Sequence, residues 1–84
     1  NLFLNTFKHK LIVIKMKLSA IITKEEKLFV ALCPELNIAS QGDTEECAIN
    51  NLKEALNLFL EDEDAKEVLK NITPAKLCSL EITI

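Results

Sequence analysis

Between Met16 and Thr23 the even positions Met16, Leu18, Ala20 and Ile22 are apolar, while Lys17, Ser19 and Thr23 are polar. Ile21 is the exception. Alternation with period two predicts a strand with one buried face. The apolar even positions continue back through Ile12 and Ile14, but Leu11 and Val13 blur the pattern. Residues 1–15 are therefore read as an N-terminal arm or a strand extension, and 16–84 as a single domain, with Met16 a candidate natural start. Lys24-Glu25-Glu26-Lys27 is a charged link of hairpin length. "LFVALC", Leu28 to Cys33, predicts a second strand, which Pro34 must end because it has no donor N–H. Glu35-Leu36-Asn37 turns the chain, and Ile38 to Gln41 predicts a short third strand. Three sequential antiparallel strands make a meander.

The period then changes. Ala48, Leu52, Ala55 and Phe59 fall on one stripe, widened by Ile49, Leu56 and Leu60, which predicts a helix over 44–60 that covers a sheet. Leu58 and Cys47 fall outside that stripe. Gly42, the only glycine, is expected to supply a backbone angle that other residues resist. "DTEE" fits a capping box with Asp43, or Thr44, as N-cap and Glu46 reaching back. The acids Asp43, Glu45 and Glu46 suit the positive end of the helix dipole. Glu61 to Asp64 ends the helix, and "AKEVLKN" predicts a further short helical turn stopped by Asn71 and Pro74. Finally "KLCSLEITI" alternates, with Leu80, Ile82 and Ile84 on one face and Ser79, Glu81 and Thr83 on the other, which predicts a fourth strand. The expected fold class is α+β: a two-layer β-β-β-α-β domain, its antiparallel sheet carrying one helix on one face.

Composition narrows the function. The 84 residues suffice for one core, and a chain of this size buries only roughly 60–65% of its unfolded surface, so a homodimer or higher homo-oligomer is expected. Residues 1–16 carry a charge of +3; the remainder, with seven lysines against thirteen acids, carries −6, for a net −3. An acidic body repels phosphate backbones, and 5% aromatic content with no Trp or Tyr offers no stacking platform, so direct nucleic-acid binding is not expected. A basic protein partner would suit that charge. Three cysteines, Cys33, Cys47 and Cys78, have no CxxC spacing and read as free thiols in a reducing cytoplasm. The apolar run Leu11–Ile14 is too short to span a bilayer, and no membrane association is expected.

Candidate chemistry is thin. His9, the sole histidine, has no Cys or Ser neighbour. Cys33 lacks an evident base. Glu35 and Asp43 bracket the loop before the helix, but two carboxylates without a third ligand make weak cation ligation. Gln41-Gly42 lacks the glycines and lysine of a phosphate cradle. No enzyme activity, metal or cofactor is expected.

The stretch from Cys33 to Glu61 resembles the HicB-like antitoxin family. The resemblance rests on Pro34-Glu35-Leu36, then Ser40-Gln41-Gly42-Asp43-Thr44, then Glu45, Glu46, Ala48 and Asn51-Leu52-Lys53-Glu54-Ala55. It implies a helix on an antiparallel sheet with a likeness to double-stranded-RNA-binding or degenerate ribonuclease H folds. It also implies an antitoxin-like binding protein that occludes a small basic HicA-like toxin that cleaves messenger RNA. Cys47, Asn50 and Asn57 depart from the family by replacing charged residues. The C-terminal DNA-binding module of many members has no room within this reading. The residues expected to touch a partner are Glu46, Asn50, Glu54 and Asn57 on the outward helix face, with Glu35 at the turn. The alternative is a stand-alone homo-oligomeric scaffold or small-ligand-binding domain, its edge strands paired across a two-fold. A degenerate nuclease would need a carboxylate cluster on the sheet, to which the predicted strands contribute only Glu81.

Overall fold

The computed structural model describes residues 17–84; the reading of residues 1–15, Met16 and His9 lies outside them. Three strands, β1 (Ile21–Glu25), β2 (Leu28–Cys33) and β3 (Ile38–Gly42), precede a long helix α1 (Glu45–Leu60) and a short one, α2 (Ala65–Lys70). The strands form an antiparallel meander in the order β1-β2-β3. Ile22 opposes Ala31, and Ala31 opposes Ser40. The α+β two-layer arrangement expected from the pattern is present: α1 packs on β3 and β2. Glu26 and Asn37 take up positive φ, 53° and 54°, and turn the chain between strands; Asn is among the residues that tolerate this region best.

β1 is displaced from its expected place. Its pairing begins at Ile21 and runs to Glu25, whereas the alternation placed a strand over 16–23. The cause lies in the facing chain. Ile21 opposes Leu32, so continuing the register would set Ser19 against Pro34, which has no N–H to give. Leu18 still packs against the core, because side-chain alternation persists where the ladder does not.

The core consists of Ala31, Cys33, Ala48 and Leu52, all buried, with Leu18, Ile22, Phe29, Leu36, Ile38 and Leu56 packed around it. Three of the four central residues are small. Helix and sheet therefore approach closely, and Leu52 supplies most of the buried apolar volume beneath α1. Ala55 and Phe59, on the same stripe, are only half-buried.

Two local expectations are corrected. Thr44, not Asp43, is the N-cap: its backbone is extended and its Oγ1 accepts the N–H of Cys47 at 3.0 Å. That makes Cys47 the third helical residue, so the reciprocal acid of a capping box is missing and Glu46 does not reach back. Replacing Thr44 with alanine should lower stability by about 1 kcal/mol, read as a reduced midpoint in urea by far-UV circular dichroism. Gly42, for its part, has no positive φ. A Cβ there would stand 2.6 Å from the Ala48 backbone nitrogen and 2.6 Å from Cys47 Cβ. The first turn of α1 rests on this position, and glycine is needed for that close approach.

The largest correction concerns the fourth strand. Residues 76–84 form no ladder among the described residues, and Leu77, Leu80, Ile82 and Ile84 stand exposed. The alternation is real, but a strand exists only through the edge it pairs with. Ala75 is tied to Glu35 (below), and beyond it no described segment pairs with the outer edge of β1.

Candidate interaction surface

α1 places Glu46, Asn50, Glu54 and Asn57 on one stripe, recurring every three or four residues and opposite to Ala48 and Leu52. All four are exposed. Glu45 lies off this stripe, three residues before Ala48, and with Glu46 places two acids in the first turn, where they favour the helix dipole. The position of this face is set from below. Leu52 and Ala48 fix the rotation of α1 on the sheet, and Asn51 Nδ2 donates to the Gln41 carbonyl at 2.8 Å, which ties the helix to the outer strand β3. Leu58 is 69% exposed on the flank.

Glu35 lies elsewhere and has a different task. Its Oε1 accepts the Ser19 N–H at 2.9 Å and its Oε2 accepts the Ala75 N–H at 2.8 Å. The Cys33 thiol also donates to Oε1 at 3.4 Å. Both oxygens are thus engaged within the chain, and Glu35 does not share the stripe on α1. The two backbone N–H groups hold its carboxyl down at about 2, Ala75 first and Ser19 second, because each bond favours the charged acceptor. Burial pushes the Cys33 thiol above its ordinary range, with the neighbouring carboxylate adding to the effect.

Sequence reasoning put Glu35 at the turn but missed this clasp. The readable signal was Pro34: it ends the ladder there, so the N–H of Ser19 on the facing segment finds its acceptor outside the sheet, at Glu35. A pH dependence follows. The folded state holds Glu35 ionised more strongly than the unfolded chain does, so its contribution is complete above the ordinary value near 4.5 and is lost as the pH falls toward about 2. Urea midpoints should drop across that window in the native chain, and Glu35→Gln should flatten the drop while lowering the midpoint at pH 7.

Two further features complete the surface. A groove of about 490 Å³ runs between the two helices and the segment before β1, lined by Leu18, Leu56, Leu60 and Leu69 with Lys53, Asn57 and Lys66 at its polar positions. Neither its depth nor its apolar character was legible from α1 alone, since α2 and Leu18 build half of it. Among the described residues, no three His, Cys, Asp or Glu side chains gather as metal ligands, and no helix is long and apolar enough to cross a membrane. The strand carboxylate considered for a nuclease is also rearranged: Glu25 belongs to β1, while Glu81 lies in the unpaired C-terminal segment.

A helix lying over a three-stranded antiparallel meander, with a polar acid-bearing face outward, defines a small α+β domain organised around surfaces. The chain is 41% identical over 54 residues to a UPF0150 protein of Helicobacter pylori strain J99, a match covering 63% of this chain and 75% of that relative. It belongs to the UPF0150 family, which is the HicB-like family. No family model matches the chain, and no solved structure matches it.

Proposed function

We propose that this chain is a binding protein, with no catalytic activity of its own, that occludes a small basic toxin able to cleave messenger RNA. The observation that carries the reading is the exposed stripe Glu46, Asn50, Glu54 and Asn57, held in place by Leu52 and by the Asn51–Gln41 bond. Membership of the HicB-like family supports it at the level of the family. The charge balance supports it physically: residues 17–84 carry seven lysines against thirteen acids, and a potential of that sign speeds encounter with a cationic protein while disfavouring RNA itself. In this reading Glu46 and Glu54 supply charge, Asn50 and Asn57 supply hydrogen bonds, and Glu35 acts through the fold by holding the edge of the sheet. The cytoplasm is the compartment that such a partner requires.

The test is co-expression with the product of a neighbouring short basic reading frame. The native chain should restore growth and co-purify with that product at micromolar concentration. The double variant Glu46→Lys, Glu54→Lys should fail in both while keeping its circular dichroism spectrum. Absence of a complex with the native chain, or equal rescue by the charge-reversed variant, would remove this function or this surface respectively.

A further inference from the structure

We propose that residues 76–84 form an exchanged strand: the C-terminal segment of one copy pairs with the outer edge of β1 in a second copy of this chain. The proposal does not depend on a toxin.

Three observations converge on it. The first is the segment itself. It alternates in period two, yet Leu77 is 89%, Leu80 81% and Ile82 76% exposed. An extended run with one apolar face is a strand awaiting an edge. The second is an available edge. Among the described residues, the sheet order β1-β2-β3 leaves one side of β1 without a partner, and exposed edges of this kind template pairing with another chain. Ile21 on β1 is itself partly exposed. The third is the place where the apolar side chains would go. The groove beside Leu18 offers Leu56, Leu60 and Leu69 next to the start of β1, a surface complementary to Leu80, Ile82 and Ile84.

The same observations point to a second copy as the occupant. Each chain supplies one edge and one arm, so two copies satisfy both demands and close the assembly. The clasp works against pairing within one chain. Glu35 holds Ser19 and Ala75 side by side, and 19–22 and 75–77 line one shallow cleft as they leave it. Closure onto its own β1 would thus run parallel, the slightly weaker ladder per residue. An arm arriving from a second copy is free to pair antiparallel. Glu35 also anchors the root of the arm, which limits the freedom that pairing must remove.

The full chain at tens of micromolar should show the mass of two chains by light scattering coupled to size exclusion. The double variant Leu80→Lys, Ile82→Lys should show the mass of one chain, with its helical circular dichroism retained because Ala48 and Leu52 seat α1 on the sheet of its own chain. A second measurement stands apart from that variant. One differently tagged chain keeps Cys78 and carries Cys47→Ser; the other carries Lys24→Cys, Cys47→Ser and Cys78→Ser, Lys24 opposing Phe29 on the face of β1 that Cys78 would share with Leu80 and Ile82. Mild oxidation of the mixture should yield a disulfide between the two tags. A single-chain mass for the native protein would overturn the proposal. So would a two-chain mass that the arm variants leave unchanged, or a Lys24→Cys chain retaining Cys78 that forms its disulfide only within itself. Loss of toxin rescue with the two-chain mass intact would strike the function proposed above and leave this inference standing.

Discussion

Leu52→Ala should lower the unfolding free energy by about 2–5 kcal/mol, the range for removing a large aliphatic side chain from a core that cannot collapse around the gap. Leu52 is 2% exposed and sits among Ala31, Cys33 and Ala48. Those neighbours are too small to swing into the space. A domain of this length has a total stability in the region of 5–15 kcal/mol, so the variant loses a substantial share of it and the helix loosens from the sheet. Far-UV circular dichroism in urea is the suitable measurement, since the chain has no Trp or Tyr to report by fluorescence. Leu58→Ala is the control. Leu58 is exposed on the flank of the same helix, and its replacement should change stability by no more than about 0.5 kcal/mol. Equal losses at the two positions would mean that α1 is not seated as described.

Gly42→Ala is the second large effect, and here the sign decides between two accounts. Where a glycine's φ suits any residue, alanine usually stabilises by about 0.4–1 kcal/mol through the unfolded chain. Gly42 has such a φ. Yet the added methyl would lie 2.6 Å from a backbone nitrogen and 2.8 Å from a backbone carbon in the first turn of α1, atoms that cannot move without shifting the helix. Overpacking of this kind costs about 1–3 kcal/mol. A loss of stability is therefore expected, and the Asn51–Gln41 bond, which depends on the same helix–strand spacing, should weaken with it. A gain in stability would show that the corner is slack.

The order of elements up to α1 was readable because each depends on local pattern. The unbroken apolar run "LFVALC" ended by Pro34, a charged pair at a two-residue turn, and the shift to helical spacing at Ala48 and Leu52 are properties of neighbouring residues. The resemblance to the HicB-like family added the corner Ser40–Thr44, and membership of that family followed from comparison with a relative. The site was legible only in part. The stripe on α1 could be placed because the core side of the helix excludes it. Glu35 could not, since its partners Ser19 and Ala75 lie sixteen and forty residues away in sequence.

By itself, then, the chain determined the order of elements through α1, which face of α1 is buried, and the acidity of the body, since all three follow from residue type and short-range spacing. Only the tertiary structure decided which strands find partners, that Thr44 caps the helix, why position 42 must be glycine, and what the Glu35 carboxylate holds. Alternation states that a segment can be a strand; pairing requires an edge at the right distance and direction, and that is a property of the assembled fold. The segment 76–84 carries the same alternation as the strands and stands unpaired for that reason.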